Sequence, residues 1–157
     1  MKSLDQWLSE YQESHQNPVN KRIHMIAVPA IVMSIAAMLW TIPSFEIPQP
    51  FARLSNPAVI VMILLTSYYV FLSPLLAAVN TVFSIIMILL LIAAETWDLP
   101  IFYIGLTTFI LAWILQFYGH KIEGKKPSFA QDIQFLLIGP AWVLMDIIGH
   151  NPNKPKP

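Results

Sequence analysis

Residues 54–94 read LSNPAVIVMILLTSYYVFLSPLLAAVNTVFSIIMILLLIAA, and from Leu54 to Ala94 there is no Asp, Glu, Lys or Arg. A helix needs roughly 20 mostly apolar residues to cross a bilayer, so this run holds two crossings. Ser73-Pro74 divides them. Proline removes a helical N–H and biases the residue before it away from helix, which predicts a tight helical hairpin over 58–73 and 75–94. Two further uncharged windows, Ile23 to Phe45 and Leu99 to His120, hold one crossing each.

The whole chain carries the same signature. Its 157 residues are 56% hydrophobic and 11% charged, with a mean hydropathy of +0.60. A soluble domain has about 25% charged residues, and every surface helix in it needs a wet face. The fold class that follows is an all-α integral membrane bundle of about four transmembrane helices. The formal net charge is zero, so there is no basic face for nucleic acid. The absence of cysteine removes disulfides, thiolate metal sites and cysteine nucleophiles. Lys2, Asp5, Glu10 and Glu13 interrupt the first 15 residues, where a cleavable signal would place its apolar core.

Around the crossings lie shorter elements. Leu4, Trp7, Leu8 and Tyr11 make one apolar stripe at helical spacing, predicting an N-terminal helix on the membrane surface that ends at Asn17-Pro18. The first crossing is expected from about Ile23 to Trp40, with Pro29 as a kink. A Pro-rich connection, Pro43 to Pro57, reads as ordered and non-helical. The fourth crossing is expected over 101–119, ending at Gly119-His120, before a polar stretch from Lys121 to Ser128. Phe135 to Met145 is too short to span and contains Gly139-Pro140, which fits a re-entrant or interfacial segment. Residues 1–18 are thus read as interfacial helix, 23–149 as the bundle and 150–157 as a disordered tail, all in one membrane domain over 1–157. Lys2, Lys21 and Arg22 precede the first crossing and Lys121, Lys125 and Lys126 follow the fourth. The positive-inside rule then puts both termini in the cytoplasm.

The four histidines, His15, His24, His120 and His150, all fall at the cytoplasmic ends of segments in that topology. Asn20 precedes His24 by four residues, Gln116 precedes His120 and Asp146 precedes His150, so each pair shares a helix face. A polar partner one turn away is what a metal-binding imidazole usually has, and Glu123 is a carboxylate beside them. Imidazoles with carboxylates and no sulfur suit iron, zinc or manganese. From the residues alone the alternative stays open: imidazole tips at the headgroup level, with Asn20 and Gln116 as helix-packing hydrogen bonds. Asn80 is expected to bind a neighbouring helix, and Lys125 and Lys126 to meet anionic headgroups or a substrate carboxylate.

Two motifs then combine: Tyr11-x3-His15-x-Asn17-Pro18-x-Asn20-x2-Ile23-His24-x3-Val28-Pro29, and Trp113-x2-Gln116-Phe117-x-Gly119-His120-x2-Glu123-Gly124-Lys125-Lys126-Pro127. Together they resemble the small membrane family of the 2-hydroxy-fatty-acid dioxygenase of phytosphingosine breakdown, which has bacterial relatives. Gly139-Pro140-Ala141-Trp142 followed by Asp146 resembles its closing segment, so the likeness runs from about Tyr11 to Ile148. Ala27 stands where the family pattern has glycine, Asp146 where it has glutamate, and His150 has no match. The resemblance implies an iron(II) enzyme, with zinc as the alternative metal, that uses dioxygen to shorten a long-chain 2-hydroxy fatty acid by one carbon. It implies His15, His24 and His120 as metal ligands and Glu123 and Asp146 as ligands or groups behind them. Asn20, Gln116, Lys125 and Lys126 are then the residues expected against substrate, and His150 is a further candidate ligand by its position. The expected location is a bacterial inner membrane, or the endoplasmic reticulum in a eukaryote, amid membrane lipid. A zinc-dependent lipid hydrolase and a non-catalytic assembly or lipid-binding protein are the competing classes.

Overall fold

The computed structural model describes residues 2–44, 48, 52–125 and 135–150. Among them the regular structure is entirely helical: α1 (Leu4–Gln12), α2 (Pro18–Trp40), α3 (Pro57–Leu72), α4 (Pro74–Thr96), α5 (Ile101–Glu123) and α6 (Phe135–Ile147), with a 3-10 turn at Ala52–Ser55. Three of these, α2, α4 and α5, are long and apolar enough to cross a membrane. The helix α3 is as apolar but has 16 residues, about 24 Å at 1.5 Å per residue. Much of the Pro-rich connection, the polar stretch from Lys126 onward and the tail lie outside the described residues.

The described residues form two compact units, one holding the chain up to Pro29 and from Ala112 onward, the other holding Ala30–Leu111. In the second unit, Ser73 caps both halves of the hairpin. Its backbone N–H donates to Tyr69 O at 2.9 Å and its hydroxyl accepts from the Leu76 N–H. Asn80 in α4 donates to Thr66 Oγ1 in α3 at 2.7 Å, the helix-to-helix bond expected of it. Arg53 pairs with Glu95 at 3.0 Å. Outer positions are bare apolar side chains, Phe71 at 78% exposure and Leu64 at 63% among them, a surface that suits the lipid around a membrane protein.

The first unit departs from the sequence expectations at three places. Asn17-Pro18 starts α2 instead of merely ending α1: the Asn17 side chain accepts from the Val19 N–H at 2.9 Å, and proline is at home in the first helical position. Likewise α5 does not stop at Gly119-His120 but continues to Glu123. Finally, α1 does not turn its stripe to lipid. Leu4, Trp7, Leu8 and Tyr11 are buried against α6, with Trp7 edge-on to Phe135 at 5.5 Å. Ser3 and Gln6 close a reciprocal capping box at the start of α1, satisfying two N–H groups that the helix leaves free. The helix α6 runs unbroken through Pro140.

Candidate metal centre

The first unit is assembled around three imidazoles. Within this unit the buried positions of α2 are Asn20, His24, Ala27 and Val28, and those of α5 are Ala112, Gln116, Gly119 and His120; each set is one face at 3.6-residue periodicity. Gly119 lets these faces meet, since a Cβ there would collide with Asn20 Oδ1 and reach 3.4 Å from His24 Cε1. His15 comes from the short connection between α1 and α2. Its ring stacks on Tyr11 at 4.3 Å and lies 5.4 Å from Trp142 of α6.

His15, His24 and His120 bring one ring nitrogen each to within 4.8 Å of one another, and their exposures are 2%, 0% and 4%. The backbone sets the tautomer of two of them. His15 Nδ1 lies 2.8 Å from Tyr11 O and His24 Nδ1 lies 3.0 Å from Asn20 O. A carbonyl can only accept, so each Nδ1 carries the hydrogen and each Nε2 offers a lone pair. His15 Nε2 is buried without a hydrogen-bond partner among the described residues. His24 Nε2 and His120 Nε2 are 3.2 Å apart. Two nitrogens at about 2.1 Å from a shared ion in tetrahedral or octahedral geometry are separated by about 3.0–3.4 Å, so the donor set fits a transition metal bound by three imidazoles. Three protein ligands leave room for substrate or water. Burial lowers the His15 pKa to about 4, against the opposing pull of the Tyr11 carbonyl, so the ring is neutral at pH 7 and its lone pair is free to bind.

Glu123 lies beside this cluster as the strut behind it. Its Oε1 accepts from Gln16 N at 2.9 Å, and its Oε2 accepts from Asn17 N at 2.9 Å and Asn20 Nδ2 at 3.0 Å. A carboxylate on the last turn of a helix opposes the dipole; three N–H donors offset that and tie the His15 connection to α5. Lys125 adds to the tie through a 2.7 Å bond to Glu13 O. Asn20 also donates to Ser14 O at 3.2 Å.

Two of the expected site residues are placed elsewhere. Asp146 forms an ion pair with Lys21 at 2.7 Å, and Lys21 also sits over the Trp142 ring at 5.3 Å, so this carboxylate joins α6 to α2. The structure does not bring His150 to the cluster: its ring meets Asp5 at 3.0 Å, both side chains being substantially exposed. The third turn-spaced pair, Asp146 with His150, fails because α6 ends at Ile147 and Gly149 takes a left-handed φ of 78°. Gln116 is buried on the His120 face. Lys126 lies outside the described residues. The sequence reading missed Tyr11 and Trp142 as walls of the site; their aromatic character at positions four before His15 and four before Asp146 was the available signal.

The family described as 2-hydroxy-palmitic acid dioxygenase Mpo1-like matches residues 1–151. The chain belongs to this family. A similar protein is the 2-hydroxy-palmitic acid dioxygenase MPO1 of Saccharomyces cerevisiae, 28% identical over 145 residues that cover 90% of this chain and 77% of the yeast protein. No solved structure matches. The match to the Mpo1-like family takes in every described element of the first unit, α1 and α6 included.

Proposed function

We propose that the protein is an iron(II)-dependent dioxygenase that shortens 2-hydroxy fatty acids by one carbon at the cytoplasmic boundary of a membrane it crosses several times. The observation that carries this reading is the convergence of three buried imidazoles, two of them with Nε2 lone pairs fixed by backbone carbonyls. Membership of the Mpo1-like family and the activity for which the yeast relative is named supply the substrate class. Oxidation of the alcohol carbon to a carboxylic acid, with release of the old carboxyl as carbon dioxide, frees four electrons. One dioxygen accepts them, and water is the other product.

In this reading His15, His24 and His120 hold the ion, and Fe(II) bound there supplies oxygen activation and open positions for a 2-hydroxy acid. The chain's own contribution is to place those positions. Glu123 and Asn20 keep the His15 connection against α5. Tyr11 and Trp142 wall off one side of His15 and keep bulk water away. Lys21 and Asp146 anchor α6. Lys125, through Glu13, fixes the same connection from outside, and Lys126 is left for the acid's carboxylate. An apolar tail belongs at the depth of α2 and α5, below the histidines.

The test is oxygen uptake by detergent-purified, iron-loaded protein given 2-hydroxypalmitate, with mass spectrometry of the product. The expected result is one dioxygen consumed for each acid one carbon shorter. Hydrolysis of a lipid ester or amide without oxygen uptake, in protein holding zinc, would replace this reading with the hydrolase.

A further inference from the structure

Gln116 and His120 are each 4% exposed and lie one turn apart on the buried face of α5. Two of their atoms, Gln116 Oε1 and His120 Nδ1, are shut away from water with no hydrogen-bond partner among the described residues. Buried polar atoms are bonded as a rule, so two unmet ones on the same face call for a common cause.

The tautomers supply it. His15 and His24 each give an Nδ1–H to the backbone carbonyl four residues back, Tyr11 O and Asn20 O. His120 makes no such bond. A neutral His24 therefore has only a lone pair at Nε2. The 3.2 Å approach of His120 Nε2 to it is then a hydrogen bond in which His120 carries its hydrogen on Nε2. That leaves a lone pair on His120 Nδ1. Gln116 Oε1 is an acceptor too, and two acceptors have nothing to share. A metal ion held by all three Nε2 atoms reverses this. Nε2 of His120 must give up its hydrogen to offer a lone pair, and the neutral ring carries that one hydrogen on Nδ1 instead. The acceptor it then needs is one turn back. Helical side chains lean toward the N-terminus, which sets the His120 ring over Gln116, and residues four apart are neighbours. One relocated hydrogen thus meets both unpartnered atoms.

Resting on the metal-site reading above, we propose that Gln116 is a positioning residue: its side-chain carbonyl accepts Nδ1–H of metal-bound His120, so loading moves the His120 hydrogen from Nε2 to Nδ1 and closes a Gln116–His120 bond. A ligand imidazole held through its second nitrogen keeps its orientation and gains basicity, worth about tenfold to 100-fold in metal affinity. The rival acceptor is Asn20 Oδ1, also buried without a partner among the described residues; it packs against Gly119.

The experiment is NMR of protein with isotope-labelled histidine side chains at mildly alkaline pH, metal-free and loaded with zinc(II), a diamagnetic ion suited to imidazole. Imidazole nitrogen shifts tell a protonated nitrogen from a bare one, and the His120 signals are those lost in His120→Gln. Wild type should carry the His120 hydrogen on Nε2 without metal and on Nδ1 with zinc, the Nδ1–H proton being deshielded by its hydrogen bond. Gln116→Met keeps the length of the side chain but offers no oxygen; its Nδ1–H resonance should move upfield and its zinc affinity fall about tenfold to 100-fold. Gln116→Glu keeps an acceptor and should keep both properties; losing both there as well marks simple packing and overturns the assignment. An unmoved Nδ1–H resonance in Gln116→Met overturns it whatever the affinity, because another acceptor such as Asn20 Oδ1 then serves. Should Gln116→Met not fold, Gln116→Asn, whose carbonyl is withdrawn by one methylene, must move the resonance, and an unmoved one overturns the assignment. A wild type with the hydrogen on the same nitrogen in both forms overturns it and leaves the metal centre standing. A wild type that takes up neither zinc nor iron(II) overturns both.

Discussion

The two units of this chain treat polar groups in opposite ways. In the unit spanning Ala30–Leu111, the buried core is Ala36, Ala37, Trp40, Ala58, Val59, Met62, Met87 and Leu91, and a polar pair such as Asn80 with Thr66 is a helix-to-helix fastener. In the other unit, three imidazoles lie together beside the Asn20 amide and the Glu123 carboxylate, and several of their buried atoms have no partner among the described residues. Polar groups cost free energy in an apolar setting unless they are bonded. One unit spends them sparingly on its own cohesion. The other leaves lone pairs unmet, which is the mark of a place built for a ligand.

The largest contrast lies in the histidines. His120→Ala should lower oxygen uptake at least about 100-fold, whereas Asn80→Ala in the other unit should leave uptake within about twofold and cost about 0.6 kcal/mol or somewhat more of stability, read as a shift in thermal unfolding. Next comes the strut. Glu123→Gln keeps the shape but weakens the acceptor that holds Gln16, Asn17 and Asn20, and should weaken metal affinity about 10-fold to 100-fold in a competition titration.

Two glycines, one in each unit, differ in the same way. A Cβ at Gly119 would displace Asn20 from its bonds to Ser14 and Glu123, while a Cβ at Gly105 would meet Ala37 Cβ and Ser34 O at 3.1 Å. Both Gly→Ala changes should destabilise by about 1–3 kcal/mol, but only Gly119→Ala should also lose metal.

Acid gives a smaller, graded effect. His15 has a folded pKa of about 4 below an unfolded value of about 6.5, so the unfolded chain binds more protons between those pH values. Its contribution to stability is present above pH 6.5 and is lost as pH falls toward 4, by about 3 kcal/mol at most. Denaturation of metal-free protein across that range should show the slope, and His15→Gln should flatten it. The smallest effect is at the surface: His150→Ala removes an exposed pair with Asp5 and should change stability by less than about 1 kcal/mol, with metal binding untouched.

The helices were legible because apolar runs and Ser-Pro or Asn-Pro junctions are local signals. Their ends were less so. Pro18 reads equally as a stop for α1 and a start for α2, and only the Asn17 cap decides it. Gly119-His120 reads as a terminus, yet here the glycine makes room for Asn20 and the helix runs on, which is what puts Gln116, His120 and Glu123 on one face. The destination of the α1 stripe depended on α6, a partner far away in sequence. His15, His24 and His120 stood out through spacing and family likeness; that Glu123 braces the backbone, and that His150 turns to Asp5, are long-range facts no local pattern carries.

Whether His15, His24 and His120 hold a metal is read by elemental analysis of protein purified without oxygen. Wild type should carry about one iron per chain, and a His24→Ala, His120→Ala double variant that still folds should carry none. Wild-type protein devoid of transition metal under conditions that retain iron(II), or a double variant with its metal intact, would contradict the account.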